Sequence, residues 1–426
     1  MASILMFSFL VLMTIGLPIG FAMALGAAIT VGAHESLPLA VVVQRALLGA
    51  DNFSLLAIPF FILAGNIMNV GGITNRIINF ANACVGRFAG GLGLTTVMSC
   101  MVFSGVSGSA VADATALGKV LVPGMKKADY DPGFAAAITA SASVMGPIIP
   151  PSIPLVIYGL TVGKGVSVAA LFLGGVVPGI MLGLGLAVVT FIIARKRRYP
   201  VHQAVPMREV LSYGSKAIWA LMMPFVILFG VTGGVVTVTE SAAFAVLYAL
   251  FVSMVIHREL SVNQLWRIFV QSGLDSAVVM IIIAFAGAFG WLMAVSGLPR
   301  EIAAWIGSYS SNPLVILMLI NGLLLIVGCF MEAIAAMIIL IPVLVPIVQA
   351  AGVDLVHFGL VMVFNLMLGL LTPPVGILLY ICGNFAGVKI ERVVREVLPF
   401  LAVGLGVLLL ITLFPKLVLW LPKMVM

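Results

Sequence analysis

Long apolar stretches dominate this chain, and the polar positions that interrupt them recur at matched intervals. Residues 167–194 carry no charge, enough to cross a hydrocarbon core of about 30 Å with some tilt. Similar runs recur to the C-terminus. The opening run, residues 4–31, lacks a basic flank and exceeds the usual h-region length, so it reads as a first span rather than a secretory signal. Three stretches mix charge with aliphatic side chains at helical spacing: residues 73–87, 262–274 and 388–397. These predict amphipathic helices at the membrane interface, their basic side chains reaching the headgroups.

One polar interruption divides the chain near its midpoint. Arg195, Lys196, Arg197 and Arg198 are followed by a stretch carrying Arg208, Glu209 and Lys216. This concentration of positive charge places residues 195–216 in the cytoplasm as a linker. A central linker invites a search for repeats. A shift of 223 residues carries Gly105 onto Gly328, Pro123 onto Pro346, Asp131 onto Asp354, and Gly146 onto Gly369. The same shift carries Pro150-Pro151 onto Pro373-Pro374, and a shift of 222 carries Ala64-Gly65 onto Ala286-Gly287. Each half holds about five full crossings plus one hairpin, counted at roughly 20 residues per span. An odd number of crossings inverts one half relative to the other.

Both termini then lie outside. The basic residues Arg76, Arg87, Lys126, Lys127, Arg258, Arg267, Lys389, Arg392 and Arg395 fall inside, with Lys164, Arg300 and Lys416 as exceptions outside. The expected organisation is 1–88 first scaffold part, 89–194 first transport part, 195–216 linker, 217–311 second scaffold part, and 312–426 second transport part.

Composition fixes the class. The chain is 63% hydrophobic and 8% charged, whereas a soluble surface needs about 25% charged residues. The net charge of +7 comes from short basic loops, with no basic face for nucleic acid. The cysteines (Cys84, Cys100, Cys329, Cys382) show no metal or disulfide spacing. The expected fold is an all-α polytopic membrane protein of two inverted repeats.

Two features in each half depart from plain spans. The first is an apolar run, a small polar cluster and a second apolar run. In the first half the cluster is Ser104, Gly105, Ser107, Gly108 and Ser109, followed by Asp113, Thr115 and Lys119; in the second it is Gly328, Cys329, Met331 and Glu332. Neither arm spans comfortably, so each pair predicts a re-entrant hairpin with its tip at membrane depth. The second feature is a broken helix. Gly146-Pro147-Ile148-Ile149-Pro150-Pro151-Ser152 and Gly369-Leu370-Leu371-Thr372-Pro373-Pro374-Val375 sit inside long apolar stretches. Paired prolines remove two donors and clash with the preceding turn, so the helix unwinds and frees carbonyl oxygens.

Freed carbonyls and nearby hydroxyls suit a cation such as Na⁺. Half-helix N-termini near Ser109 and Ser152 suit an anion, so ions and a carboxylate could meet near the midplane. The serine-rich first tip is expected to carry most substrate contact, through Ser107, Ser109 and Ser152 with Asp113 beside them. Asp113, Lys119, Glu240 and Glu332 are ionisable residues in apolar surroundings, expected to brace the structure more than to touch substrate. For Glu240, at a helix start, a capping role is as natural as a functional one.

Enzymatic readings find little support. There is no Gly-x-x-x-x-Gly-Lys-Ser/Thr, no His-Glu-x-x-His, and the histidines (His34, His202, His257, His357) are dispersed. A channel or a stand-alone sodium/dicarboxylate-type symporter stays open as the alternative.

Ser107-Gly108-Ser109-Ala110, Gly118, Pro123 and residues 146–152 resemble the first half of the large membrane subunit of TRAP (tripartite ATP-independent periplasmic) transporters. Met331-Glu332, Pro342, Pro346, Asp354, His357-Phe358-Gly359 and Thr372-Pro373-Pro374-Val375-Gly376 resemble its second half. The similarity covers essentially the whole chain. One departure is Val238, where the family pattern is Thr-Pro-Thr-Glu.

The resemblance implies an elevator-type sodium symporter in a bacterial inner membrane, importing an organic acid. It implies no cofactor beyond Na⁺ as coupling ion, and two partners: a periplasmic substrate-binding protein and a small four-helix membrane subunit. Its sodium sites would fall at Ser104, Ser107, Gly146 and Ile149, and at Gly328, Cys329, Thr372 and Val375. Pro150, Pro151, Pro373 and Pro374 would hold the breaks open. The Ser-Gly-Ser-Ala-Val-Ala-Asp stretch resembles members handling sugar acids such as sialic acid more than C4-dicarboxylate members.

Overall fold

A computed structural model describes residues 1–34, 37–163, 165–201, 205–297, 301 and 312–426; Lys164, His202, Arg300 and the end of the expected second scaffold part, up to residue 311, lie outside them. The described residues are all-helical, without strands. The first half runs α1 (Ala2–Thr14), α2 (Ile19–Gly32), α3 (Ala40–Ala50), α4 (Ala57–Val70), α5 (Ile73–Val85), α6 (Gly91–Ser107), α7 (Ala110–Lys127), α8 (Pro132–Ser143), α9 (Ile153–Val162) and α10 (Val168–Arg197). The second runs α11 (Met207–Thr232), α12 (Val238–Phe251), α13 (Val262–Val295), α14 (Pro313–Phe330), α15 (Ala333–Ala350), α16 (Leu355–Gly369), α17 (Ile377–Ala386), α18 (Ile390–Leu413) and α19 (Lys416–Val425). Eight of the described helices are long and apolar enough to cross a membrane.

The 223-residue shift holds helix by helix from α6–α9 onto α14–α17. It carries α7 onto α15 residue for residue, and the helix-capping Asp131 onto the helix-capping Asp354. Each aspartate accepts backbone NH groups at the start of the next helix, Phe134 NH at 3.0 Å in one case and Val356 and His357 NH in the other. Such caps set where α8 and α16 begin.

The helices pack as two bodies. One, made of the helices of the expected scaffold parts, has α12 on α4 and α13 on α2, α3 and α4. Gly49 and Gly287 let α3 and α13 touch, since a Cβ on Gly287 would stand 2.9 Å from the Gly49 Cα. The other body interleaves the halves: α17 packs on α7 and α8, α18 on α8 and α10, and α9 on α15. A buried polar clasp ties its second half together, with Asn365 Nδ2 donating to Asn321 Oδ1 at 2.8 Å and Asn321 Nδ2 to Thr412 Oγ1 at 3.0 Å.

Four expectations need correction. Residues 4–31 are two helices of 13 and 14 residues, about 20 Å each at 1.5 Å per residue, too short to span. Gly16, at φ +90°, and Pro18 turn the chain, and Gly26 packs back against Ser8 and Phe9. Phe9 meets Phe289 and Gly20 meets Ile281, so this hairpin leans on the second half of α13. Residues 262–274 begin the 34-residue α13, and residues 388–397 run into α18, so neither is a separate interfacial helix. The stretch 73–87 does form its own helix, α5, with Ile73, Ile77 and Ile78 buried. The linker is shorter than 195–216, because Arg195, Lys196 and Arg197 form the last turn of α10.

Basic residues gather on shared faces. Arg392 pairs with Asp131, Arg197 with Glu396 at 2.8 Å, and Lys126 donates to the Ala386 carbonyl at 2.6 Å, all at one end of the interleaved body. At the scaffold, Arg76 pairs with Glu259 at 2.7 Å.

Burial alone would lift the Asp131 carboxyl, but the Phe134 NH and the Arg392 guanidinium outweigh it and hold it below the ordinary carboxylate range. Its stabilisation is therefore complete above the unfolded value, about 3.9, and is lost as pH falls through the lowered folded value. Thermal unfolding in detergent should show Asp131→Asn missing that acid-dependent loss. Parallel pH profiles for the two proteins would remove Asp131 as a contributor.

Candidate functional site

The first hairpin tip is two residues long, Gly108 and Ser109. Gly108 takes the left-handed conformation, φ +62°, which ends α6 at Ser107. Ser109 then caps α7, its Oγ accepting the Ala112 NH at 3.4 Å. A Cβ on Gly108 would stand 2.9 Å from the Pro151 carbonyl oxygen, so the tip lies directly on the break between α8 and α9. Behind the tip, buried Asp113 accepts the Ser107 hydroxyl and lies 3.4 Å from Ser104 Oγ. Gly146 faces the same carboxylate: a Cβ there would meet Asp113 Oδ2 at 2.6 Å and the Ser109 carbonyl oxygen at 3.1 Å.

Ser104, Ser107, Ser109, Asp113 and Gly146 thus converge. Ile149 sits in the break with its side chain against Gly179 of α10, so any part it takes in the site falls to its backbone. Ser152 caps α9, donating to the Pro147 carbonyl and accepting the Leu155 NH at 3.2 Å.

The second tip is built on the same plan with different chemistry. Glu332 stands where the shift puts Ser109, and caps α15 by accepting the Ala335 NH at 3.0 Å. Gly369 packs on Gly328, where a Cβ would stand 2.6 Å from the backbone. The Val375 NH donates to the Cys329 carbonyl at 3.3 Å, and the Cys329 thiol lies beside Thr372, whose hydroxyl donates to Leu368 O at 2.9 Å. Gly328, Cys329, Thr372 and Val375 therefore meet. The peptides Pro150-Pro151 and Pro373-Pro374 are both cis.

A cavity of about 480 Å³ lies between the bodies, with both tips on one wall. Ser107, Ser109, Thr115, Pro147 and Glu332 face it from the interleaved body, and Asn66, Asn69, Gln271 and Asp275 from the scaffold. Asn66 Nδ2 donates to Ser272 Oγ at 2.9 Å and lies 3.4 Å from Asp275 Oδ2, while Gln271 Nε2 donates to Asp275 Oδ1 at 2.9 Å. Sequence reading missed these scaffold residues. The signal was there, in Asn66 and Asn69 three apart on an apolar helix and an ionisable Asp275 within a span.

Two expected ionisable residues fall elsewhere. Lys119 is exposed on α7 and does not brace the hairpin. Glu240 is also exposed and closes a capping box with Thr237, accepting its NH at 2.7 Å; the turn is kept with Val238 in place of proline. No group of His, Cys, Asp and Glu suited to a metal occurs among the described residues.

Residues 6–417 match the model of the family described as "Tripartite ATP-independent periplasmic transporter, DctM component". The "Sialic acid TRAP transporter large permease protein SiaM" of Vibrio cholerae is 39% identical over 98% of this chain and 97% of its own length. The "Isethionate TRAP transporter permease protein DctMQ" of Oleidesulfovibrio alaskensis is 40% identical over 96% of this chain, which spans 64% of that longer protein. The solved structure of the Alcanivorax borkumensis YdaH transporter matches 85% of this chain and 86% of its own with a TM-score of 0.59 at 15% identity, a likeness of fold alone. The chain belongs to the DctM family, as a transport protein and not an enzyme.

The glycine contacts make a direct prediction. A methyl at Gly146 or Gly369 meets backbone or a buried carboxylate and costs about 1–3 kcal/mol of overpacking at the tip. Gly146→Ala and Gly369→Ala should each lower uptake at least about tenfold while the protein still purifies as a single species. The exposed control Gly124→Ala, where a Cβ meets nothing within 4 Å, should keep wild-type uptake.

Proposed function

We propose that this permease imports an organic acid by sodium symport, with α6–α10 and α14–α19 moving as one transport body past a scaffold of α1–α5 and α11–α13. The observation that carries this reading is the meeting of both hairpin tips on one wall of a single cavity, each tip lying on a proline break. Unwound backbone at membrane depth leaves carbonyls that suit Na⁺, and the starts of α7 and α9 offer NH groups and positive dipole ends to a carboxylate. Sodium ions would lie at Ser104, Ser107, Gly146 and Ile149, and at Gly328, Cys329, Thr372 and Val375. Bound beside the tips, they would offset the substrate's charge.

The join between the bodies supports sliding. Among the described residues, the ion pairs and the long-range side-chain hydrogen bonds stay within one body. The exception, Thr95 to Asn82 at 3.3 Å, sits where α5 leads into α6. Gly65 against Ser107 and Gly290 against Pro342 give a close but weakly polar contact between them.

Sidedness follows from charge. The scaffold wall lies in the last turns of α4 and the early part of α13, near Arg76, Arg258 and Arg267, so the cavity opens to the cytoplasm under the positive-inside rule. Both termini then lie on the periplasmic side of a bacterial inner membrane.

The working assembly includes a periplasmic binding protein and a small four-helix subunit. The 64% coverage of the longer isethionate permease fits a fused small subunit in that protein. A sugar acid is the favoured cargo, in keeping with the sialic acid permease among the relatives.

Uptake in proteoliposomes tests the reading, with the two partners added singly and together. Sodium-driven, saturable uptake that needs both partners is expected; uptake by this chain alone would favour a stand-alone symporter, and ionic current a channel. Ser107→Ala and Thr372→Ala should each raise the sodium concentration needed for half-maximal uptake. An unchanged sodium dependence would remove those side chains from the ion sites.

A further inference from the structure

We propose that Asp275, held by Asn66 and Gln271, is a specificity-determining residue that selects a hydroxylated monocarboxylate and refuses a second carboxylate. The proposal rests on the reading above, that the cavity takes an organic acid, and names which kind. The charged side chains lining the cavity, among the described residues, are Asp275 and Glu332; no Lys, Arg or His joins them. A dicarboxylate bound here would have one anionic end at the helix N-termini and the other facing a wall without a cation.

The two acids do different things. The Glu332 carboxylate is turned back on its own helix, accepting the NH of Ala335. Asp275 is oriented across the α4–α13 crossing, one oxygen receiving the Gln271 amide at 2.9 Å and the other 3.4 Å from the Asn66 amide. Each carboxylate oxygen keeps acceptor capacity beyond one such bond. Asp275 is half-buried and lines the cavity, so that capacity is open to donors. Hydroxyl groups supply donors without charge. Asn69 and Thr115 line the same space and can both donate and accept, which suits several hydroxyls along a chain.

The wall also stands close to the tip. Gly65, next to Asn66, touches Ser107, with a Cβ there 3.4 Å from the Ser107 Cα. A substrate whose carboxylate meets the start of α7 therefore extends its other end toward Asp275. A second carboxylate at that end would face a like charge held by two amides, and specificity of this kind comes from the repulsive contact as much as the attractive one. Because Asp275 belongs to the scaffold, it meets the substrate with the transport body placed as seen here.

Gluconate and glucarate form a matched pair, the second differing by a carboxylate in place of the terminal CH₂OH. With the purified chain in detergent and sodium, binding is read from the ligand-induced rise in melting temperature over a concentration series. Wild type should bind gluconate at least about tenfold more tightly than glucarate, and Asp275→Asn should narrow that gap while keeping its unliganded melting temperature. Asp275→Lys should reverse the preference. Equal binding of the two acids by wild type, or an unchanged gap in Asp275→Asn, would overturn the proposal. So would failure to bind either acid in a preparation that shows sodium-driven uptake of a different acid. The absence of sodium-driven uptake of any acid would instead strike the functional reading beneath it.

Discussion

A helix cannot stop at mid-membrane unless its end groups find partners. Each unsatisfied NH or carbonyl in hydrocarbon costs several kcal/mol, and this chain contains two hairpin tips and two helix breaks deep in its apolar body. The arrangement of the interleaved body follows from settling those ends. Ser109 and Glu332 cap the returning arms, Asp131 and Asp354 cap the helices that follow, and Ser152 caps the half-helix after the first break. Gly108 against Pro151 and Gly369 against Gly328 bring tip and break into backbone contact. The tips themselves line the cavity, where a ligand can reach them.

The same constraint explains why the halves are alike in plan and unlike in chemistry. Any capping side chain that accepts an NH preserves the turn, so serine serves at position 109 and glutamate at 332. The first half adds Asp113 behind its tip, while the shifted position in the second half holds Ala336. The backbone plan is repeated, and its side-chain chemistry is not. Each tip thus holds one carboxylate, Asp113 behind the first and Glu332 at the cap of the second.

Legibility in the sequence tracked the strength of local signals. Prolines in pairs, Gly-Ser clusters and capping aspartates act through the backbone next to them, so the tips, breaks and repeat could be read directly from Gly105 to Pro151 and from Gly328 to Pro374. The opening hairpin was missed because Gly16 and Pro18 sit within an otherwise unbroken apolar run, where neither alone demands a turn. Residues 262–274 have interfacial composition but continue without a stop signal into α13, and helix continuity outweighs composition. That error hid Gln271 and Asp275. Their importance depends on α4 lying across α13, a contact between residues about two hundred positions apart that no local pattern encodes.

Two bodies can slide only if the movement does not strand polar groups in hydrocarbon. Had the Asn321–Asn365–Thr412 clasp or the Arg392–Asp131 pair bridged the join, each would leave unpartnered groups once the bodies shifted. Instead both networks close within the interleaved body. Apart from the Thr95–Asn82 bond where α5 leads into α6, the contact between bodies relies on glycine, proline and aliphatic surface, which exchanges one apolar neighbour for another. The polar groups that do face the join, from Ser107 to Asp275, line a cavity where a substrate and water can satisfy them. In the proposed movement, the unsatisfied chemistry at the tips is thus carried with its ligands, and the scaffold's own polar wall stays behind in contact with water.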